Sequence, residues 1–299
     1  MNLLAGLNSG FKLELSVSDI WQEISPMSDD FSLPDLQPSP EIDTTVSHSA
    51  RIWDYWLGGK DNYPVDREVG DRIEEMLPDI VKQARADRMF LGRVVRYLAG
   101  EAGVRQFLDI GTGLPTVDNT HEVAQRVAPE SRIVYVDNDP LVLVHARALL
   151  TSASEGATDY IHADLHDPGD ILTGAARTLD FGRPIAITLL GVLWHVLDND
   201  EASAIISRLV QALPSGSYLA VNHPTLEVTG EKMATAIRYW NEYGKPPGTH
   251  RTPGEIARLF DGLELVEPGV VSITRWRPEA TPFGEPEEID QFGGLGRKP

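Results

Sequence analysis

Three aspartates and two glycines carry the first chemical signal in this chain. In "FLDIGTG" Asp109 closes an apolar run just before Gly111 and Gly113, in "VYVDNDP" Asp137 closes another, and in "IHAD" Asp164 closes a third. A glycine-rich turn between a strand and a helix lets backbone amides approach a nucleotide-type ligand. In the nicotinamide-binding form, G-x-G-x-x-G, the third glycine lets the helix pack closely on its strand. Thr116 holds that position here, and Leu114-Pro115 widens and stiffens the turn, because proline fixes φ and removes a donor. Such a turn has no pyrophosphate to cradle. The carboxylates say what it holds instead. Asp109 is placed to accept from an ammonium group, and Asp137, about 20 or more residues further on, to chelate two ribose hydroxyls. Asp164 is placed to accept from an adenine amino group. A ligand with an ammonium group, a ribose and an adenine but no phosphate is S-adenosylmethionine. Any one aspartate alone is as well read as a helix cap or a solvated loop residue. Three at successive strand ends, where open α/β sheets bind ligands, are hard to obtain by chance. Asn138 and Leu165, each next to one of them, join the expected contacts.

Methyl transfer from a sulfonium is an in-line displacement, so much of the acceleration comes from holding the acceptor in place. A base is needed only where the acceptor must lose a proton. Candidates for this work lie in three places. The segment "WDYWLGGKDNYP" is dense in polar and aromatic groups around Gly58-Gly59. It reads either as a lid, with Lys60 or Asn62 reaching the methionine carboxylate and Tyr55 and Tyr63 near the acceptor, or as a helix-turn-helix packing Trp53, Trp56 and Leu57 on the core. Arg88 is a further candidate for that carboxylate. His195 follows the fourth strand, as a general base or as a hydrogen-bonded structural histidine. After "VNHP", Met233, Ile237 and Trp240 fall on one helical face, with His223, Tyr239 and Tyr243 nearby. That stripe packs on the domain and also covers an acceptor pocket expected between this helix and the Trp53–Tyr63 segment, with His223 and Trp240 as contacts.

The elements that must position these groups alternate between short apolar runs and helical periods, the mark of an α/β parallel sheet. Strands are expected at "RQFLDI", "RIVYVD", "YIHAD", "IAITLL" and "SYLAVNH", with "ELVEPGVVSITRW" finishing the sheet as two strands around Pro268-Gly269. A helix with Phe90, Val94 and Leu98 on one face precedes the first strand. Asp139-Pro140, Asp198 with Glu201, and Thr252-Pro253-Gly254-Glu255 are helix-start signals, combining caps with an N1 proline or a box glutamate. Residues 1–47, rich in Ser, Pro and Asp, read as a flexible tail, and 279–299 as a loosely attached arm. The domain between, 48–278, includes an N-terminal helical lid (48–80) and a helical insert (224–252).

The 299 residues can bury one large core, and 41% hydrophobic with 24% charged residues is ordinary for a soluble protein. A net charge of −19 without a basic patch disfavours a phosphate backbone as partner and favours a small molecule. The absence of cysteine removes disulfides, thiolate catalysis and Cys-based metal sites, and fits a reducing cytosol. The histidines show no paired ligand spacing, so no metal is expected. The run "PIAITLLGVLWHVL" is too short to span a bilayer, so no membrane association is expected and the location reads as cytoplasmic. Nothing sets the oligomeric state.

"FLDIGTG", "VYVDNDP", "IHADLHDP" and "LLGVLWHVLD" resemble successive motifs of class I S-adenosylmethionine-dependent methyltransferases. "ARIWDYWLGGKDNYPVDREVGDRI", with "DIGTGLPT", resembles more narrowly an actinobacterial methyltransferase family long catalogued as a domain of unknown function. The resemblance spans about Ser49 to Arg277. It implies a Rossmann-like sheet of seven strands, the last antiparallel beside the fifth, with helices on both faces and a helical lid. It also carries Asp109, Gly111, Gly113, Asp137 and Asp164 over as cofactor contacts. Two rival functions stay open: an NAD(P)-dependent oxidoreductase, and a regulatory protein that binds S-adenosylmethionine without turnover.

Overall fold

The computed structural model describes residues 42–149, 151–280 and 284–299. Five parallel strands form the body of one sheet: β1 (Gln106–Ile110), β2 (Arg132–Asp137), β3 (Ala157–His162), β4 (Ala186–Leu190) and β5 (Tyr218–Pro224). Their spatial order is β3-β2-β1-β4-β5, so the topology switches direction between β1 and β4. Side chains alternate across the sheet as period-two geometry requires. Leu108, Val134, Val136, Ile187, Leu219 and Val221 pack on one face against α6 (Pro168–Ala175), α7 (Asn199–Gln211) and α9 (Pro253–Arg258). Phe107, Ile133, Tyr135, Ala186 and Ala220 pack on the other against α3 (Ile80–Gly100) and α4 (Thr120–Val127).

The expected helix starts are built as their sequences imply. Asp198 Oδ1 accepts from Glu201 N at 2.9 Å, and Thr252 and Glu255 exchange the two bonds of a capping box. Asp139 Oδ1 accepts from Leu141 N at 2.8 Å, opening α5 (Pro140–Leu149). Phe90, Val94 and Leu98 are fully buried on α3, the helix expected before the first strand.

Three expectations need correction. Strand β3 ends at His162, where β2 ends at Asp137 in register, so Asp164 stands two residues past the strand instead of closing it. The segment 264–276 contributes only β6 (Glu264–Leu265) and β7 (Val271–Ser272), which pair with a third strand and not with each other. That third strand is β8 (Gln291–Arg297), which lies antiparallel along all seven residues of β5 and makes an eight-stranded sheet. The expected loose arm at 279–299 therefore contains a central strand; its residues 281–283 lie outside the described residues. Glycines fit this strand for a steric reason. A Cβ on Gly293 would stand 2.5 Å from Val221 O, and one on Gly296 2.9 Å from Phe260.

A third cluster sits beyond the sheet. Ile52 and Trp56 of α1 (Ser49–Trp56), with Val69 and Ile73 of α2 (Pro64–Met76), bury against Met233, Ala236, Ile237 and Trp240 of α8 (Glu231–Tyr243). The N-terminal helices and the insert thus form one body. Of the expected tail, residues 1–41 lie outside the described residues. Ser47 is buried, its hydroxyl donating to Tyr243 O at 2.8 Å.

Candidate active site

At the carboxyl ends of the strands, at the topological switch, lies a cavity of about 240 Å³. Gly111 N bonds Val136 O at 2.8 Å, and the residue takes φ +75°. A Cβ there would stand 2.4 Å from Val192, so both conformation and space require glycine. Gly113 N donates to Asp137 Oδ2 and Asp139 N to Asp137 Oδ1, each at 2.9 Å. Asp109 accepts from Thr120 Oγ1 at 2.5 Å and Thr188 Oγ1 at 2.6 Å, which fixes its rotamer from two sides. Burial raises both the Asp109 and the Asp137 carboxyl above the usual range, against the pull of these donors. Burial also acts on Asp164, but bonds from His166 N and Nδ1 and from Asn138 Nδ2 prevail and hold it below that range.

All seven expected strand-end contacts line this cavity: Asp109, Gly111, Gly113, Asp137, Asn138, Asp164 and Leu165. Lys60 and Asn62 do not. Lys60 is exposed, while Asn62 Nδ2 donates to Asp54 Oδ2 at 2.8 Å and to Gly59 O at 3.1 Å. The Gly58–Asn62 turn instead wraps the carboxylate of Asp54, which does line the cavity and whose pKa burial raises. A Cβ on Gly59 would lie 1.9 Å from Asp54 Oδ1, so that glycine makes room for the carboxylate.

The cavity also takes in groups that sequence reasoning missed or left aside. His48, itself in the lining, stands with Nδ1 2.9 Å from Asp139 Oδ2, which links the start of α1 to the residue bonded to Asp137. Arg88 donates to Asp118 O at 3.0 Å, but its buried Nε has no hydrogen-bond partner among the described residues. Asp87 accepts from Asn222 Nδ2, whose Oδ1 in turn accepts from Gly191 N at 2.6 Å. Burial pushes the Asp87 carboxyl up to about 6, against the pull of Asn222 and Arg88. A signal for it exists in the sequence: Asp87 falls on the stripe of Phe90, Val94 and Leu98, where a charge has no ordinary reason to be.

His195 follows β4 in a turn and lines the same cavity. Its Nδ1 lies 2.9 Å from Pro247 O, and since a carbonyl only accepts, Nδ1 carries the proton and Nε2 the lone pair. Burial lowers its pKa to about 4, so the ring is neutral at pH 7.

A second, smaller cavity adjoins the first, sharing Trp53 and Gly191 with it. It lies between α1 and α8, where the acceptor pocket was expected, and Trp240 is in its wall, its Nε1 donating to Pro246 O at 2.8 Å. The other expected acceptor contacts line neither cavity. Tyr55 Oη donates to Asp71 at 2.6 Å on the surface, and the Tyr63 ring packs 5.3 Å from the Arg51 guanidinium. His223 is fully buried in β5 against Arg251. Burial first, and then the Arg251 charge, push its pKa down to about 3. Among the described residues, no group of three or more His, Asp or Glu could hold a metal ion, and no helix is long and apolar enough to cross a membrane.

Comparison with known proteins follows the same lines. Residues 35–299 match the model of a family described as S-adenosyl methyltransferase. A DUF574 family protein from Streptomyces avermitilis is 47% identical, with a TM-score of 0.83 over 87% of this chain and 100% of that one. A methyltransferase candidate from Thermobifida fusca is 41% identical, with a TM-score of 0.79 over 88% of this chain and 99% of that one. No curated protein matches the chain.

Proposed function

The chain belongs to the S-adenosyl methyltransferase family and is an S-adenosylmethionine-dependent methyltransferase, and from that premise we propose how its residues divide the work. Asp109 accepts from the cofactor's ammonium group, Asp137 from its ribose hydroxyls and Asp164 from its adenine amino group. Gly111, Gly113, Asn138 and Leu165 shape the seat. The Nε of Arg88, without a partner among the described residues, takes the carboxylate, because a buried donor without a partner is where an anion gains most. When bound, the cofactor supplies an electrophilic methyl group on a positive sulfur. The acceptor sits in the second cavity and meets the first at Gly191 and Trp53.

Neutral His195 offers the Nε2 lone pair to an acceptor O–H or N–H and so orients it. Asp87 is better matched to taking up a proton near neutral pH, since catalytic bases work best with a pKa close to the working pH. The acceptor is a small molecule and not a nucleic acid, and the location is cytoplasmic; the net charge of −19 and the lack of cysteine support this. The observation that carries the assignment is the convergence of Asp109, Asp137 and Asp164 on one cavity.

Calorimetric titration with S-adenosylmethionine and S-adenosylhomocysteine, with NADH and NADPH as controls, tests it. Saturable binding of the two sulfur ligands alone, lost in Asp137→Ala, is the expected result. Binding that survives in the variant would remove Asp137 from the seat.

A further inference from the structure

The second cavity has a composition that limits what it can hold. Four of the chain's six tryptophans, Trp53, Trp56, Trp194 and Trp240, stand in its wall, and among the described residues no charged side chain does. Trp194 and Trp240 pack with centroids 4.8 Å apart, and Trp53 meets Trp56 edge-on at 5.9 Å. An ionised group entering this wall would lose its hydration and find no counter-charge, which is costly. A ring instead gains buried area and aromatic contact. The cavity measures about 60 Å³ and adjoins the larger one at Trp53 and Gly191, so an occupant held by this wall extends towards the larger cavity.

Two amides, Gln83 and Gln291, stand in this wall. Gln83 is 4% exposed and lines the cavity, and no hydrogen bond engages its amide among the described residues. Its amide is therefore open to an occupant of the cavity. Gln291, also in the wall, lies close enough to Asp87 to pull its pKa down.

We propose that this cavity selects an uncharged, single-ring aromatic acceptor bearing a hydrogen-bonding group that Gln83 reads. The proposal rests on the reading of this cavity as the acceptor seat.

The test uses four rings of one size, titrated into the full chain with and without saturating S-adenosylhomocysteine: 4-methylphenol, 4-methylbenzoate, 4-methylbenzylamine and toluene. Quenching of the cavity tryptophans and calorimetry both report binding. The expected order places 4-methylphenol at least ten-fold tighter than either charged ring. Gln83→Leu should weaken 4-methylphenol roughly five- to ten-fold, as loss of one hydrogen bond implies, and leave toluene unchanged. A charged ring that binds as well as the phenol, or no ring binding at all, would overturn the proposal. Ala236→Leu, which fills the cavity, separates the two readings. If it leaves ring binding intact, the rings sit elsewhere and the acceptor seat is wrong. If it abolishes binding of a preferred charged ring, only the ligand class is wrong. Failure of S-adenosylhomocysteine to bind would break the cofactor assignment, while ring selectivity without it still decides this one.

Discussion

The two adjoining cavities share a wall yet are built by different means. The larger is lined by carboxylates and glycines where parallel strands end, positions fixed by the main chain and by donors such as Thr120 and Thr188. The smaller is lined mostly by indoles and aliphatic side chains, many of them from α1, α2, α3 and α8, which pack on one another. The first is therefore costly to alter, because each change disturbs a strand end or a buried hydrogen bond. The second can change shape through single side chains while the sheet stays intact, as suits a fold that keeps one cofactor and varies the acceptor.

If that division is real, damage to one cavity should leave the other working. Trp240→Ala is the most severe test. Truncating a tryptophan that is 2% exposed should cost about 3–5 kcal/mol of stability in chemical denaturation. Its affinity for S-adenosylmethionine should stay within about two-fold, provided folding is intact; a ten-fold loss would merge the cavities into one unit. Asp137→Ala acts in the opposite sense. It should weaken the cofactor by about 100-fold, since a charged acceptor is removed, and leave ring binding in the apolar cavity in place.

Asp87→Asn sharpens the comparison through pH. The folded Asp87 has a pKa near 6 against 3.8 for an ordinary aspartate, so its contribution is most favourable below pH 4 and is lost as pH rises through 6. At pH 7.5 the variant should be about 2–3 kcal/mol more stable than the parent, with the gap closing towards pH 4, read as urea midpoints at each pH. A gap independent of pH would mean that Asp87 titrates normally. Lys60→Ala is the smallest expected effect. Lys60 is exposed and outside both cavities, so stability should move by less than about 0.5 kcal/mol and cofactor affinity not at all.

What could be read from the chain alone follows the same division. Asp109, Gly111, Gly113 and Asp137 are legible because strand, turn and carboxylate lie together in sequence, and the caps at Asp198 and Thr252 are equally local. Strand β8 is hidden because "QFGGLGR" lacks β-branched residues; its glycines answer to Val221 and Phe260, which nothing nearby in sequence reveals. Polar density around Gly58-Gly59 pointed to Lys60 and Asn62, whereas the turn serves Asp54 four residues before Gly58. His223 reads as an acceptor contact in the sequence because its partner, Arg251, is 28 residues away. Asp87 depends on Asn222 from a distant strand, so only its misfit on an apolar stripe announces it.

Trp53 has a further consequence. One indole forms part of both walls, on a helix tied at its start through His48 to Asp139, whose N–H bonds the cavity-lining Asp137. Whatever a ligand in one cavity does to that indole is felt in the other, so the two occupancies form a linked equilibrium. Linkage is reciprocal: the factor by which the cofactor changes the acceptor's dissociation constant is also the factor by which the acceptor changes the cofactor's.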